Sequence, residues 1–278
     1  MKLLIKIFRI MRRRYRLLNF PQSIQNILGN RPYTLDSTGM SNAQVICFDR
    51  VVLKIEKQSE ESDREHQMME WLADKLPVPK ILCSEQENGM SYLLMSKIGG
   101  EMSCSNKMLE NPKLLVKILA EGLKMLWNIE ISTCPYHNSI NNKLKLAEDR
   151  VCNNLCSTED AEPGTYESNG FESPEKLLRW LKSNKPAEEP VFSHGDYCLP
   201  NIFVNDNKIN GFIDLGRSGV ADKYQDIALC YRSLKHNFDG SYGGKVYENF
   251  NEMILFDELE IVPDWDKIKY YILLDELF

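Results

Sequence analysis

The 278-residue sequence predicts an α+β fold in two lobes, a small β-rich lobe over residues 32–98 followed by a larger, mainly helical lobe over residues 99–278. Three observations carry this. Short apolar runs rich in β-branched residues crowd the first segment around a single helical stretch. Beyond about residue 110 the apolar spacing becomes helical. A hydrophobic content of 43% supplies core for one large or two modest units.

Residues 1–31 read as a basic extension, because Lys2, Lys6, Arg9, Arg12, Arg13, Arg14 and Arg16 fall among apolar residues with no acid before residue 21. Such a segment suits an interfacial amphipathic helix, a solvated extension, or a start assigned too early with Met11 as the true one. Its apolar runs are broken by charge and no small-residue cleavage site follows, which argues against a signal peptide. No stretch has the roughly 18 uncharged apolar residues of a membrane span, so membrane is not an expected partner. The net charge is −6 and the remainder without the extension is more acidic still, which argues against nucleic acid and fits a cationic partner. The 8 Cys include no C-x-x-C pair and no His placed to complete a zinc set, as expected of reduced thiols in a cytoplasmic protein.

In the small lobe, strands are expected at 43–48, 51–55, 80–83 and 92–95, with a helix at 61–73. Val51-Val52-Leu53-Lys54-Ile55 puts one Lys in an apolar strand, which is costly unless its charge meets phosphate or a carboxylate; Glu65 is the expected partner. The 36–43 segment precedes the first strong strand, where backbone N–H groups and the Ser41 hydroxyl could cover phosphates. Segment 93–100, with Met95, Ser96 and Ile98, reads as a connector whose exposed backbone could meet adenine, or as an ordinary linker. Helices are expected at 112–129, 140–156, 174–181, 222–234, 246–256 and 265–277, with 157–173 an acidic loop rich in Gly, Ser and Pro.

The chemistry concentrates in Ser193-His194-Gly195-Asp196-Tyr197-Cys198-Leu199-Pro200-Asn201 and in Ile213-Asp214-Leu215-Gly216. Phosphoryl transfer needs a carboxylate to orient and deprotonate the acceptor hydroxyl, plus hard oxygen ligands for Mg²⁺. Asp196 can be that base. Asn201, five residues on, and Asp214 can be the ligands. Asn205-Asp206-Asn207-Lys208 is turn chemistry between two apolar runs, and a hairpin there would return Asp214 to Asn201. His194 is expected to fix the loop rather than act as the base.

From about residue 33 to the last, these motifs, together with Gly219 to Asp226 (GVADKYQD) and the terminal Leu274-Asp275-Glu276-Leu277-Phe278, resemble the aminoglycoside 3′-O-phosphotransferase (kanamycin kinase) family. The resemblance implies a bilobal protein-kinase-like fold that uses ATP and Mg²⁺ to phosphorylate a hydroxyl, the 3′ in particular, of an aminoglycoside antibiotic, conferring resistance. It implies Asp196 as catalytic base, Asn201 and Asp214 on magnesium, and Ser41, Lys54, Glu65, Met95, Ser96, Ile98 and Ile213 around the nucleotide. Substrate residues implied are Arg217, Asp275, Glu276 and the carboxylate of Phe278, with Asp160, Glu162 and Glu167 as candidates in the acidic loop. Val52 stands where a family member can carry an adenine-stacking aromatic, and His236 and Asn237 stand where a substrate-facing acid can occur. Another amino alcohol or a sugar as acceptor stays open, as do a non-catalytic nucleotide-binding role and the choice of monomer or dimer.

Overall fold

The computed structural model describes residues 20–36, 43–159, 161–242, 244–248 and 250–278. The basic run up to residue 19, Ser41 with most of its loop, and Asp160 lie outside the described residues.

In the small lobe, five antiparallel strands, β1 (Thr34–Leu35), β2 (Gln44–Cys47), β3 (Val51–Lys57), β4 (Ile81–Glu87) and β5 (Met90–Ser96), form one sheet in the order β1-β2-β3-β5-β4. Asn88 and Gly89, both at positive φ, make the tight β4–β5 turn. Strand β3 alternates strictly. Val51, Leu53 and Ile55 are buried on one face, which leaves Val52, Lys54 and Glu56 on the other.

The buried face meets helix α1 (Gln22–Leu28), whose Ile24 and Leu28 pack with Phe20, Ile46, Leu53 and Leu94. Residues 20–28 therefore belong to the small lobe's core and not to the extension expected from the sequence; the short apolar spacing of Phe20, Ile24 and Leu28 was masked by the basic run before it. Helix α2 (Glu60–Leu72) begins with a reciprocal capping box between Ser59 and Ser62. Its Met68, Met69 and Leu72 turn into the large core, and its Glu65 stays beside the sheet.

The large lobe is built on α4 (Pro112–Trp127), which follows a short strand β6 (Glu101–Met102) and one turn of helix α3 (Asn106–Leu109) and buries Leu115, Leu119, Leu123 and Leu126. Helices α5 (Ile140–Cys152) and α6 (Pro174–Ser183) pack on each other and share its core, while α7 (Lys223–Asp239) and α8 (Ile254–Leu259) lie against α4 and α9 (Trp265–Asp275) bridges α6 and α7. Two small sheets lie on this layer: β7 (Pro190–Ser193) pairs with β10 (Gly219–Asp222), and β6 pairs with β8 (Ile202–Asn205), which pairs with β9 (Lys208–Phe212). The β8–β9 turn carries Asp206 and Asn207 at positive φ, the two-residue hairpin expected at that spot.

The helix expected at 246–256 does not form over its first half. Tyr247 and Phe250 pack their rings on Phe238, 5.3 and 3.7 Å between centroids, and the Asn251 side chain caps Met253 N–H at 3.0 Å, so helix starts only at Ile254. Helix α5 ends at Cys152, because Asn154 turns to positive φ and Leu155 N–H closes on Arg150 O.

Candidate active site

The turn after β7 is fixed from beneath. Asp226, fully buried on α7, accepts from His194 N–H at 2.7 Å and from Gly195 N–H at 2.9 Å. Gly195 has φ +84°, and a Cβ there would lie 2.0 Å from the Arg217 carbonyl oxygen, so the turn can approach the 214–217 segment only as Gly. The His194 ring bridges the same two segments. Its Nδ1 accepts from Asp196 N–H at 3.3 Å, which makes Nε2 the donor to Ile213 O at 3.0 Å. With both nitrogens used and the ring buried, His194 has no free nitrogen to act as a base. Tyr197 anchors the loop to α4 through Leu119 O at 2.8 Å.

Above that platform, Asn201 Nδ2 donates to Asp196 Oδ2 at 2.9 Å and to Asp196 O at 3.0 Å. Cys198 Sγ donates to Asp196 Oδ1 at 3.0 Å, and burial together with the Asp196 charge pushes this thiol well above its ordinary range. Because the Asn201 amide nitrogen faces Asp196, its Oδ1 is left as an acceptor for another ligand. The hairpin closes with Ile213 N–H on Asn201 O at 3.0 Å, which places Asp214, at φ 61°, next in line.

Asp214 Oδ1 lies 3.1 Å from Lys54 Nζ, which also meets Glu65 Oε2 at 2.7 Å and Glu56 Oε1 at 3.5 Å. Burial would lower the Lys54 ammonium, but the three carboxylates hold it well above its usual range. Burial raises Glu65 to about 7 against the pull of Lys54. Asp214 resists the same burial effect and sits below its ordinary value because of Lys54. A cavity of about 390 Å³ opens between the lobes over these groups, lined by Val52, Lys54, Glu65, Met95, Ser96, Ile98, Asn201, Ile213 and Asp214. Phe203, Met102 and Leu215 also line it. Two hard-oxygen ligands suit Mg²⁺, which usually takes one or two protein ligands and completes its shell with phosphate and water.

The acidic residues near the chain end form a second cluster. Arg232 on α7 pairs with Asp275 and, at 3.2 Å, with Glu276. Arg217 reaches Glu61 at 3.1 Å and Asp275 at 3.8 Å. Burial would raise Asp275, but Arg232, Arg217 and Lys143 hold it below its usual range. Glu276 accepts from Glu162 N–H at 3.0 Å, and the Glu162 carboxylate faces His236 Nε2 at 2.8 Å. Arg150 donates to the main-chain oxygens of Leu277 at 2.7 Å and Phe278 at 2.6 Å. Glu167 is exposed and stands outside this network among the described residues.

Residues 33–271 match the model of the phosphotransferase enzyme family. An aminoglycoside 3′-phosphotransferase of Enterococcus faecalis is 47% identical over 219 residues, covering 78% of each chain. The chain belongs to the aminoglycoside 3′-phosphotransferase family. A second relative of that name, from Niallia circulans, is 38% identical over 94% of this chain and 98% of its own. The fold is shared with the solved aminoglycoside phosphotransferase APH(3″)-Id of Streptomyces rimosus, at a TM-score of 0.77 and 22% identity over 92% of this chain and 96% of that one. An aminoglycoside-3′-phosphotransferase of type VIII superposes with a TM-score of 0.70 at 21% identity, covering 92% of this chain and 98% of that one.

Several side chains of this phosphotransferase's two clusters were not singled out from the sequence. Asp226 lies inside the quoted GVADKYQD motif, where its buried position on a helix was the missing fact. Cys198 sits within the Asp196 loop, and its thiol direction could not be read from spacing. Lys143, Arg150 and Arg232 are cations on helices, a pattern that ordinarily signals a solvated face. Phe203 does carry a signal, since alternation along β8 buries Ile202 and Val204 on one face and turns Phe203 to the other, where it lines the cavity.

Proposed function

We propose that the protein transfers the γ-phosphoryl group of ATP to the 3′-hydroxyl of an aminoglycoside, with residues 32–98, together with the segment 20–28 packed on their sheet, as the nucleotide-binding lobe and 99–278 as the catalytic and acceptor lobe. The carrying observation is Asp196, held within one loop beside Asn201 and a short hairpin away from Asp214 and Lys54. In this reading Asp196 accepts the acceptor hydroxyl's proton. Asn201 and Asp214 would hold Mg²⁺, which neutralises charge on the phosphates during transfer. Lys54, kept cationic by Glu65, orients the phosphates, while Val52, Met95, Ile98 and Ile213 enclose the base. Ser41 is assigned to cover the phosphates.

Asp275, Glu276 and Glu162, beside Phe278, are assigned to the acceptor wall for ammonium groups, with Arg217 ordering Asp275; Asp160 and Glu167 are further candidates from the same acidic loop. The internal cations on these acids leave further acceptor sites free, since each carboxylate offers about four lone-pair positions. Each added charge-assisted hydrogen bond would contribute about 1.5–3 kcal/mol. We place the reaction in the cytoplasm, where ATP is available; no described helix is long and apolar enough to cross a membrane.

The test is ATP-dependent phosphorylation of kanamycin, with the product's regiochemistry read by NMR. Wild type should modify the 3′ position, and Asp196→Ala should lose at least about a hundredfold in kcat while retaining nucleotide binding. Turnover that survives in the Asp196 variant, or phosphate at another position, would overturn the assignment.

A further inference from the structure

We propose that Cys198 is a positioning residue for the proposed base: its thiol and the Asn201 amide together hold the Asp196 carboxylate in the plane from which it meets the acceptor hydroxyl. The inference rests on the functional reading above and adds a residue to it.

An Asp carboxylate turns about a broad sp³–sp² torsion. A donor on one oxygen restrains that torsion only as far as one hydrogen bond can bend, and a second donor on the other oxygen narrows it further. In this site each oxygen has its own donor, Asn201 Nδ2 on Oδ2 at 2.9 Å and Cys198 Sγ on Oδ1 at 3.0 Å. An ionised carboxylate can only accept, so the thiol must be the donor.

Cys198 is itself held, with its N–H on Asp196 O at 2.8 Å and its carbonyl on Asn201 N–H at 3.0 Å. The following residue, Leu199, donates its N–H to Ser233 Oγ on α7 at 3.0 Å. The thiol therefore has a fixed origin on a loop pinned to the large lobe's core. A weak S–H donor suits the task, because it orients the carboxylate with less stabilisation of the anion than an O–H donor would bring, and each oxygen retains a lone pair for the incoming proton. Unlike Asn201, Cys198 offers no oxygen ligand suited to Mg²⁺, so its loss should leave nucleotide binding alone.

The experiment compares steady-state kinetics of wild type, Cys198→Ala and Cys198→Ser with kanamycin and MgATP, alongside thermal melting. Cys198→Ala should lower kcat about tenfold, as misorientation of a reacting group does, with both KM values within about twofold of wild type and an unchanged melting temperature. Cys198→Ser, which restores a donor, should recover kcat to within about threefold of wild type. The proposal is overturned if the Ala variant keeps wild-type kcat, if its loss falls in KM, or if Ser does no better than Ala. Wild type that phosphorylates no aminoglycoside overturns the functional reading and this proposal with it. An active wild type beside an unaffected Ala variant overturns the proposal alone.

Discussion

Lys143 on α5 is 9% exposed, with its ammonium 5.4 Å from the Phe278 ring centroid and influenced by Asp275, Arg217, Asp226 and Asp196. Burial brings its pKa down to about 8, because the surrounding acids do not make up for lost water. A lysine lowered on folding destabilises the native state while it is charged in both states, so the penalty is full below about pH 8. It fades as pH rises towards the unfolded value of about 10.4, because the unfolded chain then binds more protons than the folded one. Lys143→Met should therefore be more stable than wild type at neutral pH by up to about 3 kcal/mol. The gap should narrow as pH approaches about 10. Urea unfolding of both proteins at the two pH values measures this, and a gap that stays constant would show that the side chain's charge is not the cause.

Among the elements, the β7 turn and the β8–β9 hairpin do the assembling. The hairpin was legible because Asn205-Asp206-Asn207-Lys208 is one of few sequences that adopt two successive positive-φ residues readily. The turn at Gly195 was legible only as part of a motif, since the reason for glycine is the Arg217 carbonyl arriving from a segment more than twenty residues away. Gly195→Ala combines a strained φ with a backbone collision and should cost about 3 kcal/mol or more. It should also lower kcat, because the same turn aims Asp196. Denaturant unfolding with steady-state kinetics checks both, and a variant within about 1 kcal/mol of wild type would mean that the two segments can part cheaply.

At the scale of the whole molecule, a net charge of −6 and an acidic wall predict attraction of a polycation from a distance. Raising NaCl from about 50 to about 500 mM shortens the screening length roughly threefold, so KM for kanamycin should rise several-fold with little change in kcat. KM for MgATP, an anion, should not rise in parallel. Equal insensitivity of both would leave short-range contacts as the whole of recognition. The acids are not bare, however: Arg232 and His236 already engage Asp275, Glu276 and Glu162. An incoming ammonium shares or exchanges these partners, which weakens the salt effect relative to an unpaired acidic wall.

Local patterns in the sequence were sufficient for the bilobal fold, most strands and helices, and the hairpin that brings Asp214 back to Asn201 and Asp196, because periodicity, turn chemistry and short motif spacing are properties of neighbouring residues. A lysine in an apolar strand likewise announces its need for Glu65. What only the tertiary structure decided is which groups from separate elements meet: Asp226 beneath the Gly195 turn, Arg150 on the main-chain oxygens of Leu277 and Phe278, Arg232 between two acids, and the thiol of Cys198 on Asp196. Charged and polar side chains on helices look alike in sequence whether water or another helix faces them. Their partners are set by long-range packing of α5, α7 and α9, and that is a property of the assembled core.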